Sequence, residues 1–160
     1  MPTVIIALGS NLGDSPALLR QAVVRLQPFS RQSLRVSSFW ETEPMDCPPG
    51  SPTFLNAVAL LDTLPEETPE TLLEKLLTLE KEFGRRPKQI LNEPRPLDLD
   101  LIAFGQETRH SPRLTLPHPR AHQRRFVLGP LNEIAPDLVL PGQSDTVAAL
   151  LASLARPSSP

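Results

Sequence analysis

The chain has 160 residues, with 16 basic against 18 acidic side chains and a formal net charge of −2. This length fits one domain over residues 1–160, with a frayed tail at 156–160, because two domains would have only about 80 residues each. One cysteine excludes an internal disulfide framework and a multi-cysteine zinc site. The apolar runs are shorter than the ~20 residues that span a bilayer, and no signal peptide is recognisable. We therefore expect a cytoplasmic protein that binds no membrane.

The first half of the chain alternates between predicted strands and one helix. Thr3–Gly9 is an apolar run that indicates a buried strand. Ser15 and Pro16 suit the start of a helix, and Pro28 marks its end. Apolar alternation and a proline-rich stretch define the remaining elements of this half. They are a strand at 34–42, a loop at 44–52 and a strand at 53–63.

The second half begins with another helix, which Thr68 and Pro69 would open and Gly84 would close. After it come a polar, arginine-rich loop at 85–97, a strand at 98–104, an extended segment at 113–119, and helices at 127–134 and 146–154. The order β-α-β-β-α-β with a helical C-terminal extension is typical of a ferredoxin-like α+β fold. In that fold two helices pack on one face of an antiparallel sheet, so we expect the other face to remain available for a site.

The charges are unevenly distributed along the chain. Residues 41–84 carry ten acids and two bases, whereas residues 85–125 carry nine bases, eight of them arginines, and four acids. Arginine clusters within a nearly neutral chain favour a small phosphate-rich ligand over a long nucleic acid, which usually selects a basic domain. A solvated basic surface is the alternative interpretation.

Asp98 and Asp100 are the most informative local pattern. In a strand both carboxylates point to the same face, roughly 6.5–7 Å apart along the backbone. Two acids that repel each other and lose solvation favour a divalent cation. Their oxygen ligands favour Mg²⁺, which completes its coordination with water and substrate phosphates. The alternative is a solvated acidic face on an edge strand.

Several further residues are compatible with either a site or the core. His118, held between two prolines, could contact a phosphate, act as an acid or cap a turn. A buried amide at Asn56 must find partners, either on the edge of a pterin or purine ring or on neighbouring backbone. Phe54 and Phe126 could enclose a flat ring or simply be core residues. The glycine-containing segment at 9–14 lacks the Walker ending, so it predicts a turn before the first helix.

Seven segments of the chain form a recognisable series in order over residues 3–140. These segments are IALGSNLGD, SSFWETEP, FLNAV, LEKEFGRR, PRPLDLDLIAFG, RLTLPHPR and RRFVLGPLNEIAP. The combination of PR-x-x-DLDL with a downstream LTLPHPR is specific, although each piece alone is weak. Together the segments resemble the 6-hydroxymethyl-7,8-dihydropterin pyrophosphokinase family of folate biosynthesis. The chain departs from the family pattern at Pro87, Leu91, Asn92 and Glu93.

The resemblance implies a ferredoxin-like fold, ATP as co-substrate, two Mg²⁺ ions and transfer of the ATP diphosphate to the pterin hydroxymethyl group, with release of AMP. We expect a monomer with no nucleic-acid partner. A regulatory domain that senses a nucleotide, and a nucleotidyltransferase that releases pyrophosphate, are the alternatives. The implied site residues are Asp98 and Asp100 for the metal; Arg85 and Arg95 for the phosphates; Thr42, Met45, Phe54, Asn56 and Phe126 for the pterin; and Leu101, Arg113, Thr115, His118 and Arg124 for ATP, with Glu80 orienting its neighbours.

Overall fold

Three long antiparallel strands form the centre of the fold, which is seen in a computed structural model that describes residues 2–42, 52–84 and 95–155. The middle strand of the three is the first in the chain. Along the chain the strands are β1 (Thr3–Ser10), β2 (Arg35–Val36), β3 (Trp40–Thr42), β4 (Phe54–Asp62), β5 (Asp98–Phe104), β6 (Arg109–His110) and β7 (Thr115–Leu116). The helices are α1 (Ser15–Leu26), α2 (Pro69–Glu82), α3 (Arg125–Ile134) and α4 (Val147–Ala155).

The order of the main sheet is β2-β4-β1-β5, and β3 also pairs with β4. All of these pairings are antiparallel. Two βαβ-type connections, through α1 and α2, bring the helices onto one face. The predicted ferredoxin-like α+β arrangement is therefore confirmed.

The face beneath α1 and α2 holds the larger apolar core. Strand residues that alternate along β1, such as Val4, Ile6 and Leu8, point into it and are fully or almost fully buried. Leucines from α1 and α2 cover them, as their helical spacing predicts. The burial of this face fixes the register of the strands and thus sends the intervening residues to the opposite face.

The N-terminal ends of α1 and α2 are capped by side chains that lie next to them in the sequence. Thr68 caps α2 as predicted, since its hydroxyl oxygen accepts a hydrogen bond from the backbone N–H of Thr71 at 3.1 Å. At α1 the sequence favours Ser15 as the N-cap, which is wrong by one residue because Asp14 takes this position. The side chain of Asp14 accepts from the N–H of Ala17 at 3.2 Å, whereas the Ser15 hydroxyl hydrogen-bonds to Ser10 at 2.8 Å.

The second face, which was expected to remain available for a site, is open at one end only. Apolar residues at one end of this face, among them Ile5, Val58 and Ile102, pack in a second core with α3 and α4. The polar residues Asn56 and Asp98 lie toward the other end of the same strands. The C-terminal helices thus confine a site on this face to that end.

The predicted strand at 34–42 is two short strands, because the ladder with β4 is interrupted at Ser37. The N–H of Ser37 donates to the carbonyl of Val58 at 2.9 Å, and the N–H of Val58 donates to the Ser37 hydroxyl oxygen at 2.9 Å. A side-chain oxygen here takes the place of a backbone acceptor. The extended segment at 113–119 contains β7, which forms a hairpin with β6 that the sequence did not predict.

Two of the predicted loops and the tail fall wholly or largely outside the described residues, as do the site residues Met45 and Arg85. The four positions that depart from the family pattern also lie there. In the described part of the chain, no helix combines the length and the apolar character needed to cross a bilayer.

Candidate active site

A row of residues across three strands forms the floor of the candidate site. Asn56 on β4 pairs with Gly9 on β1, and Gly9 pairs with Asp98 on β5. Two residues earlier on β1, Ala7 pairs with Asp100. Because strands lie about 4.8 Å apart, Asn56 and Asp98 are separated by about 10 Å across the glycine. The predicted shared face of Asp98 and Asp100 is confirmed, since the intervening Leu99 packs in the core on the opposite face.

Gly9 leaves the middle of this row without a side chain. A Cβ atom at this position would lie 3.3 Å from Oδ1 of Asn56 and 3.7 Å from a ring carbon of Phe54. Both side chains therefore lean over the backbone of β1. The result is a flat strip of main chain, bordered by an amide on one side and a carboxylate on the other.

Asp100 experiences an excess of negative charge. Burial, together with the charges of Asp98 and Glu80, raises the pKa of Asp100 from 3.8 to about 7, against the opposing effect of Arg124 and Arg95. A cation bound between Asp98 and Asp100 would relieve this repulsion. The described residues contain no group of three or more His, Cys, Asp or Glu side chains suited to a metal. Two carboxylates fit Mg²⁺, which takes its other ligands from water and phosphate.

Glu80 fixes the strand that carries the two aspartates. This glutamate is only 6% exposed on α2, and its Oε2 accepts a hydrogen bond from the backbone N–H of Leu99 at 2.7 Å. Leu99 lies between Asp98 and Asp100, so the bond holds the segment from its outer edge. This geometry agrees with the orienting role that the family resemblance implies for Glu80.

Arg95 lies next to this acidic pair, and its backbone is fixed by Asn11. The N–H of Arg95 donates to Oδ1 of Asn11 at 2.9 Å, and the N–H of Asn11 donates to the Arg95 carbonyl at 3.1 Å. The guanidinium carbon lies 5.5 Å from the ring centroid of Phe54. Its Nε is buried and has no hydrogen-bond partner among the described residues. A buried donor of this kind requires an acceptor, and an anionic ligand would supply it.

A second arginine–phenylalanine pair lies at the start of α3. The guanidinium carbon of Arg124 is 5.4 Å from the ring centroid of Phe126.

Burial and the charges of Arg124 and Arg120 lower the pKa of His118, against the opposing charge of Asp98. Its Nδ1 accepts from the N–H of Arg120 at 3.2 Å, which leaves Nε2 to carry the proton in the neutral ring. The charges of the two arginines and of Asp98 therefore all act on His118.

At the Asn56 end, the structure brings together three of the residues that were predicted for the pterin, namely Thr42, Phe54 and Asn56. Asn56 is 8% exposed, and its Nδ2 donates to the hydroxyl oxygen of Thr42 at 2.6 Å. Thr42 pairs with Phe54 across the β3–β4 ladder. An amide, a hydroxyl and an aromatic ring thus line one corner of the site.

Three residues predicted for ATP lie further from this centre or face away from it. Leu101 is buried in the core beneath α1 and α2, so its side chain does not share the face of Asp100. Arg113 is an exposed residue that forms an ion pair with Glu74 of α2. Thr115 is exposed on β7, beside the buried Leu116.

Known proteins provide the comparison for this arrangement. A family model described as 7,8-dihydro-6-hydroxymethylpterin-pyrophosphokinase matches residues 5–136. A Haemophilus influenzae protein named 2-amino-4-hydroxy-6-hydroxymethyldihydropteridine pyrophosphokinase is 42% identical over 142 residues, covering 88% of this chain and 86% of that protein. The chain belongs to this pyrophosphokinase family. A Bacillus subtilis protein of the same name is 40% identical over 130 residues, covering 81% of this chain and 75% of that one.

Solved structures agree with the pyrophosphokinase fold. The Plasmodium falciparum HPPK-DHPS wild type with pteroate has a TM-score of 0.73 and 13% identity, and the match covers 95% of this chain. The present chain spans 42% of that larger chain. At this identity the likeness concerns the fold alone, and it covers nearly the whole pyrophosphokinase chain described here.

The sequence reasoning missed Asn11 and Trp40. Asn11 was treated as part of a turn, yet it is 2% exposed and holds the backbone of Arg95. A buried asparagine after a strand signals a non-local partner, but does not identify it. Trp40 was predicted only as a strand residue. It packs against Gly129 of α3, a contact over 89 positions that no local pattern reveals.

Proposed function

We propose that the face bearing Asn56, Gly9 and Asp98 is the active site for the pyrophosphokinase reaction of this family. In that reaction ATP transfers its diphosphate to 6-hydroxymethyl-7,8-dihydropterin and AMP is released, a step of folate biosynthesis. The protein is an ATP-dependent diphosphotransferase. The observation that carries the site assignment is the buried Nε of Arg95, which lies close to the paired aspartates and has no hydrogen-bond partner among the described residues. An anionic ligand would supply the acceptor for Arg95, and a bound cation would neutralise the aspartates.

The pterin end is assigned to Asn56, Thr42, Phe54 and Phe126, with Met45 from outside the described residues. The side-chain amide offers a donor and an acceptor side by side, which matches the edge of a pterin ring. Gly9 leaves room for the Asn56 amide and the Phe54 ring above β1, where the flat ring would contact both. In this orientation the hydroxymethyl group extends along the row toward Asp98, which lies about 10 Å from Asn56.

The phosphate end is assigned to the aspartates and the arginines. Asp98 and Asp100 would hold Mg²⁺, two ions by family resemblance, which supplies charge neutralisation for the triphosphate. Arg95 and Arg124, with Arg85 from outside the described residues, donate to phosphate oxygens and stabilise the charge that develops on transfer. Arg113, Thr115 and His118 complete the proposed ATP contacts. Leu101 would contribute only through its backbone, because its side chain is buried on the opposite face, and Glu80 holds this strand.

The chemistry is a displacement at the β-phosphorus. The pterin hydroxyl oxygen forms a new bond to the β-phosphorus. The bond between this phosphorus and the oxygen that bridges it to the α-phosphorus breaks, and AMP leaves with the electron pair. The hydroxyl proton is released as the phosphoester forms. Because the transition state of phosphoryl transfer is loose, little proton removal is required early, and positioning supplies most of the catalysis.

The proposal extends to the organisation of the chain. We expect one domain over residues 1–160 that acts as a monomer in the cytoplasm. Gel filtration with light scattering would measure the mass of the particle, and a mass near that of one 17.6 kDa chain is expected. A stable dimer would contradict the monomeric state without affecting the site assignment.

The direct test incubates the full chain with ATP, Mg²⁺ and 6-hydroxymethyl-7,8-dihydropterin and analyses the nucleotides. AMP should form only when the pterin is present, in equal amount to the pterin diphosphate. Asp98→Ala should lower turnover by orders of magnitude, whereas the exposed Asp137→Ala serves as a matched control. Formation of ADP or of pyrophosphate, binding of ATP without turnover, or a fully active Asp98→Ala variant would each overturn the assignment.

A further inference from the structure

Trp40 and Ser38, on and before β3, are joined to α3 through one carboxylate. The Trp40 indole Nε1–H donates to Oε1 of Glu133. The Ser38 hydroxyl lies 2.8 Å from both carboxylate oxygens of the same glutamate. These two hydrogen bonds lower the pKa of Glu133, so the carboxylate stays ionised and remains an acceptor at neutral pH. The outer edge of the sheet is thereby tied to a helix that follows it by more than 80 residues.

Gly129 allows the same two elements to approach closely. A Cβ atom at this position would lie 2.6 Å and 2.7 Å from two carbons of the Trp40 ring, so the ring rests directly on the helix backbone. Gly129 and Glu133 are four residues apart and share one face of α3. Glycine and the adjacent Pro130 both weaken a helix interior. The packing of Trp40 explains the presence of Gly129 at this position.

The Trp40 contact lies beside the proposed pterin corner. Trp40 is the register partner of Asn56, and two residues later Thr42 accepts the hydrogen bond from the Asn56 amide. On the helix, Phe126 precedes Gly129 by three residues, close to one turn. Trp40 therefore links the β3–β4 ladder, which carries Thr42 and Asn56, to the helix that carries Phe126.

We propose that Trp40, Gly129 and Glu133 are positioning residues that set the width of the pterin pocket. The inference rests on the proposed assignment of Asn56 and Phe126 to the pterin. None of the three needs to touch the substrate. A planar bicyclic ring fits only when the amide and the phenylalanine ring are held at the correct separation, and the glutamate and the glycine determine how far apart the two walls stand.

Three variants test this role. Gly129→Ala forces the indole away from α3, Glu133→Ala removes the shared acceptor, and Glu133→Gln retains one carbonyl oxygen for Trp40. An exposed glutamate in the turn before α2, Glu66→Ala, is the control. Because the first two variants displace one wall of the pterin pocket, we expect them to raise the Kd for the pterin roughly ten- to hundred-fold. Glu133→Gln should recover most of this loss.

The Kd for MgATP should change less than about two-fold in all variants, because the phosphate groups lie at the other end of the row. Trp40 is the only tryptophan of the chain. Its fluorescence in Gly129→Ala should therefore report the displaced ring in folded protein, before any substrate is added. Thermal unfolding of each variant separates loss of folding from loss of positioning.

The possible outcomes distinguish the inference from the site assignment. If the wild type binds pterin and the folded Gly129→Ala and Glu133→Ala variants bind it equally well, the positioning role is refuted and the assignment stands. Equal losses of pterin and ATP affinity would also refute it, because they indicate a general structural role. If the wild type does not bind the pterin at all, it is the assignment that fails.

Discussion

Asp100→Asn tests whether the charge of Asp100, which is buried and lies beside Asp98, destabilises the protein when metal is removed by a chelator. Burial and the charge of Asp98 raise the pKa of Asp100 from 3.8 to about 7, and about three pKa units at about 1.4 kcal/mol each give about 4 kcal/mol as an upper limit. The folded chain retains a proton that the unfolded chain releases. Stability from this group is therefore fully present below about pH 4 and is lost as the pH rises to about 7.

Denaturant unfolding in EDTA measures this effect at about pH 4 and about pH 8. At the higher pH, Asp100→Asn should be more stable than the wild type by up to about 4 kcal/mol, and the difference should nearly vanish at the lower pH. Addition of Mg²⁺ at the higher pH should stabilise the wild type and leave the variant unchanged. Turnover of the variant should fall at least about a hundred-fold.

An exposed aspartate in the loop after α3, Asp137→Asn, controls for the loss of a surface charge. The reasoning is refuted if Asp100→Asn and the wild type show the same stability at both pH values in EDTA. Stabilisation of the variant by Mg²⁺ to the same extent as the wild type would place the metal elsewhere. A pH-dependent difference without any effect of Mg²⁺ would support a destabilising charge at Asp100 and would contradict metal binding by this pair.

Three further substitutions separate the parts of the site. Asn56→Ala should weaken pterin binding about ten-fold or more and leave ATP binding nearly intact, as measured by titration calorimetry; equal losses of both would contradict a role in reading the ring. Glu74→Gln releases the exposed Arg113 from its ion pair, and a pair of this kind is worth about 0.2–1 kcal/mol, so ATP should bind up to about five-fold more tightly at low salt. Weaker binding of ATP by this variant would show that the pair assists binding. Asn11→Ala removes the acceptor for the backbone N–H of Arg95 and should cost about 1–3 kcal/mol of stability together with a lower kcat; an unchanged kcat would show that Arg95 needs no such support.

The central elements of the site were predictable because they depend on local patterns. Alternation in β5 places Asp98 and Asp100 together wherever one face of the strand is buried, and the apolar run of β1 identifies its neighbour. The partners of those residues were not predictable. Asn11 and Trp40 act through contacts with Arg95 and Gly129, which lie 84 and 89 positions away, and only the tertiary fold brings them together.

The split of the second predicted strand has the same origin. Period-two alternation continues through Ser37, so nothing in the pattern shows that its hydroxyl replaces a backbone acceptor for Val58. The β6–β7 hairpin was missed because its strands have only two residues each. Strands of that length carry too few alternating positions to be distinguished from a loop.

The bond from Leu99 to Glu80 has a consequence for the behaviour of the protein in solution. β5 is an outer strand of the sheet, and an outer strand offers its free backbone groups to any extended peptide that approaches. Glu80 occupies the N–H of Leu99, and the N–H of His118 occupies the carbonyl of Ile102 at 2.8 Å. Each contact makes one backbone group of β5 unavailable for pairing with a strand of another molecule. The glutamate that holds the segment of the aspartates therefore also disfavours aggregation through this edge.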